Sequence, residues 1–167
     1  MNLREQFVTA LGEFGEKVHA TLVPNSQGTC RFEIDGLIDV QLNFDEQHQS
    51  VSLWTPAGEL PSDAAESGLA GRLLALLGDP DVACGFSLGL DADRRLLGIW
   101  GECPAEWLYL SDCLADWLER LVGFYGRVRD ELAGNSRGRV DGRDAASRSD
   151  ARNGGLSDLG SEGFMRV

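Results

Sequence analysis

GTCRFEIDGLIDVQLNFD, residues 28–45, is the stretch on which the fold turns. Cys30, Phe32 and Ile34 alternate with Arg31, Glu33 and Asp35. After Gly36 and Leu37, Ile38, Val40, Leu42 and Phe44 alternate with Asp39, Gln41, Asn43 and Asp45. Successive side chains of a strand point to opposite faces, so a period of two writes one apolar and one polar face. Asp35-Gly36 is the dipeptide of a tight hairpin turn. A polar turn over Asp45–Gln49 leads to a third strand, Val51–Thr55, closed by Pro56 and Gly58. Three strands joined in a meander make an antiparallel sheet.

Upstream, Leu3, Phe7, Leu11, Phe14 and Val18 recur at steps of four and three. They predict an amphipathic helix over Asn2–Ala20, with Asn2 and Glu5 as a capping pair. Pro24–Gly28 reads as a turn. Downstream, Ser62 or Asp63 caps a second helix running to Leu77. Ala65, Leu69, Leu73, Leu76 and Leu77 line one side, Gly68 and Gly71 interrupt it, and Gly78-Asp79-Pro80 ends it. Phe86, Leu88 and Leu90 then alternate with Ser87 and Gly89. After a turn at Asp91–Arg94, Leu96–Glu102 completes a second hairpin, with Leu97 and Ile99 on one face, Trp100 on the other and Pro104 as the break. A last helix covers about Ser111–Leu132, striped by Leu114, Trp117, Leu118, Leu121, Tyr125, Val128 and Leu132. The pattern is α-β-β-β-α-β-β-α, an α+β domain in which an antiparallel sheet packs with helices.

Beyond Leu132 the composition changes. Residues 133–167 hold seven glycines with many serines and arginines, and this tail is expected to be disordered. Its short apolar end, Gly163–Val167, is a candidate docking motif. The domain is residues 1–132 and the tail 133–167. The chain carries 27 acids and 15 bases, net -12. Residues 1–132 hold 22 acids and 9 bases, net -13, and the tail is net +1. So acidic a body repels phosphate backbones and argues against nucleic acid.

Four cysteines, Cys30, Cys84, Cys103 and Cys113, form no C-x-x-C, and neither His19 nor His48 stands at ligand spacing, which argues against zinc. Cys30, Cys84 and Cys113 read as small core residues in a reducing cytoplasm. Met1–Phe7 lacks the basic start and apolar run of a secretory signal, and no stretch approaches 18 apolar residues, so neither export nor a membrane span is expected. No glycine pattern opens a helix for phosphate, and no G-x-S-x-G occurs. Asp91-x-Asp93 lacks the glycine and glutamate of a calcium loop and reads as a turn. Twenty-two acids offer many carboxylate pairs and nothing singles one out. No cofactor is expected.

The helix LREQFVTALGEFG (3–15), GTCRFEIDGLIDVQLNFD (28–45), VSLWTPAGELP (51–61) and the hairpin GFSLGLDADRRLLGIWGECP (85–104) together resemble the class I chaperones of bacterial type III secretion, the family that includes the Tir chaperone. Cys30, Ile34 and Asp35 match its C-x-x-x-I-D strand, and Pro56, Gly58, Leu60 and Pro61 its P-x-G-x-L-P strand end. The long tail departs from compact members. The resemblance covers about residues 3–130. It implies a cytoplasmic homodimer, no enzymatic activity, and a partner that is the unstructured N-terminal region of a secreted effector, held extended by strand addition and apolar patches. Two alternatives stand beside it: a regulatory chaperone that binds a cytosolic regulator and couples secretion to transcription, and a binding protein of similar fold outside secretion.

For the partner surface the candidates are Val8, Leu37, Ile38, Val51, Leu53 and Trp54. Trp54 faces away from Val51 and Leu53, either covered by Pro56–Leu60 or partly exposed; taken singly, Ile38, Val51 and Leu53 fit a core better. For the dimer contact the candidates are Leu69, Leu73, Leu77, Phe86 and Leu88, apolar beyond what one small domain readily buries.

Overall fold

The computed structural model describes residues 2–64, 67–108 and 111–134. The tail read as disordered lies, beyond residue 134, outside the described residues. The elements run α1 (Leu3–Lys17), β1 (Thr29–Ile34), β2 (Ile38–Asp45), β3 (Ser50–Glu59), α2 (Leu69–Gly78), α3 (Pro80–Ala83), β4 (Ser87–Asp91), β5 (Leu96–Pro104), a 3-10 turn (Ala105–Leu108) and α4 (Ser111–Leu132). The α+β architecture read from the alternating stretches is the one observed.

All five strands form one antiparallel sheet in the order β1-β2-β3-β5-β4. The hairpin between β1 and β2 turns on Asp35 and Gly36, at φ 53° and 65°, the positive pair that a two-residue turn matching the strand twist requires. Among the described residues, helices cover one face only. On that inner face Ile38, Val40, Leu42 and Phe44 of β2, Val51, Leu53, Thr55 and Ala57 of β3, and Leu97, Ile99 and Cys103 of β5 are all buried. They meet Phe7 and Leu11 of α1, Leu69 and Leu73 of α2, and Leu114, Leu118, Leu121, Phe124 and Val128 of α4. Each fully buried side chain of this size stabilises by about 1.5–3 kcal/mol relative to exposure. Phe7 stacks on Phe44 at 5.8 Å, and Phe86 lies between Trp117 and Phe124 at 6.2 and 6.0 Å.

α1 starts as its sequence dictates. The Glu5 amide donates to Asn2 Oδ1 (2.8 Å) and the Asn2 amide donates to Glu5 Oε2 (2.9 Å), a reciprocal cap. Two expectations are corrected. First, β3 does not stop at Pro56 but runs to Glu59. The β2 ladder along β3 ends at Trp54, so the N–H that Pro56 lacks was never needed on that side, and a register shift between Pro56 and Gly58 absorbs the ring. Second, α2 begins at Leu69 rather than after Ser62 or Asp63, because Gly68 takes the left-handed conformation (φ 69°) and starts the helix anew. Gly78-Asp79-Pro80 ends α2 as expected, and Asp79-Pro80 also opens α3: the Asp79 side chain accepts from the Asp81 amide (3.0 Å) and Pro80 fills the first helical position.

Candidate functional site

β1 and β4 are the two edges of the sheet, and the helical layer thins toward β1. Where the inner face of β2 is buried throughout, Phe32 and Ile34 of β1 are only half-buried. The gap between them, the C-terminal half of α1 and the start of α4 is a groove of about 320 Å³. Phe14, Val18 and Leu22 form one wall, Phe32 and Ile34 another, and Ala115, Leu118 and Val122 a third. Gly15 shapes the α1 side. The Ala20 amide returns to the Gly15 carbonyl (2.8 Å), and a Cβ at Gly15 would stand 2.5 Å from the Ala20 oxygen. Only glycine lets the chain fold back this tightly, and the fold-back leaves Val18 48% exposed at the rim. The charged groups lining the groove are Glu33, Asp35 and Glu119.

Among the described residues, no strand pairs with the outer edge of the β1 backbone beside this groove. The Phe44 amide donates to the Gly28 carbonyl at 3.0 Å, and bonded pairs alternate along an antiparallel ladder. With the register Cys30–Leu42, Phe32–Val40 and Ile34–Ile38, the residues bonded to β2 are Cys30, Phe32 and Ile34. The main-chain groups of Arg31 and Glu33 therefore point to the edge. Thr29 is closed off, since its carbonyl accepts from the Asn25 amide (2.8 Å) and its own amide donates to Asn25 Oδ1 (3.0 Å).

Two further apolar surfaces stand apart from the groove. On the outer face Trp54 and Trp100 are direct cross-strand partners, and Gly98 and Gly89 pair beside them. The missing side chains leave a depression of about 460 Å³ into which the Trp54 indole folds, its Nε1 2.8 Å from where a Gly98 Cβ would stand. Trp100 is 42% exposed. On α2, Arg72 is drawn inward to Glu131 Oε2 (2.7 Å) and the Ser67 carbonyl (2.7 Å). The outward residues Ala70, Gly71, Leu74, Ala75 and Gly78 carry no charge, and Leu74 is 67% exposed.

The residues named from sequence are distributed unevenly over these surfaces. Val8 is exposed on α1 but does not line the groove, and Leu37, 79% exposed, caps the hairpin next to it. Ile38, Val51 and Leu53 are turned into the core, because their alternation is the inner-face alternation. Trp54 takes the half-exposed alternative. Leu69, Leu73 and Phe86 are likewise buried in the chain's own core, with Leu77 and Leu88 half-buried against it. Phe14, Val18, Phe32, Ile34 and Val122, which make the groove, belong to periodic sets in the sequence but were not separable from core there. Strand order decides their exposure, and strand order is not local.

Burial pushes the Cys103 thiol up to about 12, with the Glu102 carboxylate adding to it, and burial raises Cys30 as well. Neither is a thiolate near neutral pH. Among the described residues no group of three His, Cys, Asp or Glu side chains is placed to hold a metal ion, and no helix is long and apolar enough to cross a membrane.

No family model matches the chain, and no curated protein sequence does. Solved structures do. A chain of the HopA1–SchA chaperone–effector complex matches with a TM-score of 0.61 at 23% identity, over 76% of this chain and 95% of that one. A chain of the ExsC–ExsE complex matches with 0.64 at 16% identity, over 79% and 97%. The complex of the Yersinia pestis type III secretion chaperone SycH with a stable fragment of YscM2 gives 0.55 at 21%, over 73% and 98%. The fold is thus that of the class I type III secretion chaperones. The similarity spans nearly the whole of each matched chain, so it describes the full domain and not one motif within it.

Proposed function

We propose that this chain is a type III secretion chaperone that acts by binding alone, holding an extended segment of a secreted effector along β1. The observation that carries the reading is the coincidence of unused main-chain groups at Arg31 and Glu33 with an apolar groove on the inner side of the same strand. An added strand gains backbone hydrogen bonds, and its alternate side chains enter the groove. A disordered partner suits this geometry, since it wraps a long surface without having to unfold first. Trp54 and Trp100 offer a second anchor for the same partner, as tryptophans in partly covered sites carry a disproportionate share of interface energy. Self-association is supported by α2, whose outward face is uncharged in an otherwise acidic protein, and by Leu90 of the β4 edge, 54% exposed.

The test is hydrogen exchange on the complex that co-purifies from the native cell, its partner identified by mass spectrometry. The reading expects new protection at the Arg31 and Glu33 amides. Protection confined to α2 or the outer face, with these amides unchanged, refutes strand addition at β1. A partner that is a cytosolic regulator rather than a secreted protein moves the assignment to a regulatory chaperone.

A further inference from the structure

We infer that the groove selects a cationic strand, with one large aliphatic or aromatic residue opposite Phe32 and a Lys or Arg next to it on the Ile34–Asp35 side. This rests on the strand-addition reading above. In a strand added to β1, the residues bonded to Arg31 and Glu33 put their side chains on the outer face with those two. The residue between them stands opposite Phe32 and enters the groove, where Phe14, Phe32, Ile34, Leu118 and Val122 offer only hydrocarbon. The charges around that slot are one-sided. Glu33 and Asp35 of the hairpin and Glu119 of α4 border it, with the Glu33 side chain on the outer side of the strand, and among the described residues no Lys or Arg lines it. Lys17, at the end of α1, is paired with Asp112, and Arg31 stands on the same outer face as Glu33 but on the other side of the anchor position. Glu33 lies directly across from the residue next to the anchor on the Ile34–Asp35 side, Glu119 lies on the groove side, and the net -13 of residues 1–132 adds the same sign at longer range. The arrangement attracts a basic neighbour of the apolar anchor and turns away acidic segments that present the same anchor.

Fluorescence anisotropy on the full chain tests this with three labelled dodecapeptides that share an alternating Thr/Leu core and differ only in carrying Lys, Gln or Glu at the flanking positions. The expected order is Lys, Gln, Glu. The ends should differ by about tenfold in low salt, from two or three partly screened pairs of several-fold each, and the gap should shrink in high salt. The double variant Glu33→Gln, Glu119→Gln removes exposed carboxylates and should erase the preference, so that the Lys and Glu peptides bind it alike. Equal affinities, or a preference that survives the double variant, overturn the inference. Val122→Asp separates this from the reading beneath it. If it abolishes binding while the order is absent, only the inference falls. If it leaves the Gln peptide's binding untouched, or if no peptide binds the unmodified chain, both fall together.

Discussion

Gly101→Ala should be the most damaging single-methyl insertion on the inner face of the sheet. Gly101 lies opposite Leu53 on β5, and the Phe86 ring rests directly over it. A methyl group there would stand 2.7 Å from two carbons of that ring and 3.2 Å from a carbon of Trp117. Phe86 has nowhere to retreat, because it is stacked between Trp117 and Phe124 with interplanar angles of 13° and 12°. Moving the ring means moving α4 away from the sheet. Overpacking of this kind costs about 1–3 kcal/mol. For a domain of this size, roughly 3–4 °C of melting temperature accompanies each kcal/mol, so a fall of about 4–10 °C is expected. Thermal denaturation followed by circular dichroism measures it. Gly89→Ala on β4 is the control, since a Cβ there meets nothing within 4 Å and should shift stability by no more than about 0.5 kcal/mol. If Gly101→Ala melts within about 1 °C of the parent, the ring stack is not the rigid clamp between sheet and α4 argued for here.

Thr55→Val should stabilise. Thr55 is fully buried, and its Oγ1 is a buried side-chain atom without a hydrogen-bond partner among the described residues. Exchanging the hydroxyl for a methyl should gain about 1–2 kcal/mol in urea denaturation, and an unchanged or lower midpoint would show the hydroxyl to be bonded. His48 should titrate above its ordinary 6.5, because the Asp45 carboxylate accepts from its ring (2.8 Å) and holds the charged form, while Asp45 is drawn below its ordinary 3.8 by the same bond. The histidine's contribution is complete below 6.5 and fades as pH rises through its raised value, and the carboxylate's is complete above 3.8 and fades as pH falls through its lowered one. NMR titration should find the His48 midpoint returning to the ordinary value in Asp45→Asn, and a midpoint that does not move would deny the pairing. Maleimide labelling of the folded chain should modify Cys84 and Cys113, which are partly accessible, well before Cys30 and Cys103; mass spectrometry showing Cys103 modified first would contradict its burial. Trp54→Ala should keep its circular dichroism and lose about 1–3 kcal/mol of partner binding by calorimetry, and unchanged affinity would confine binding to β1.

The meander was legible because its signals are local. The alternation of β2, the Asp35-Gly36 turn and the Asn2–Glu5 cap each lie within a few residues, and each appears in the fold as written. The limits of β3 were not, because Pro56 is a strand breaker only where its missing N–H faces a neighbour, and the end of the β2 ladder at Trp54 is a property of two strands at once. The same reason hid the groove. Phe32 and Val40 have the same local signature, but one stands on an edge strand and the other on an interior strand, so one is half-exposed and the other buried. The two faces of α2 were not separable for a related cause. Leu73 and Leu74 are the same residue type one position apart, and packing takes Leu69 and Leu73 into the core and leaves Leu74 exposed.

The one-sided layering bears on how such a chain changes over evolutionary time. Every second residue of β2, β3 and β5 lies on the face that helices cover and is held by packing, whereas much of the bare face is tied by single contacts such as Ser50 to Glu102 and Thr29 to Asn43. Substitutions on the bare face leave the core's volume untouched, so they accumulate without threatening folding. A sheet built this way tolerates exchange on its bare face away from Trp54 and Trp100 and resists it on the face that carries the core.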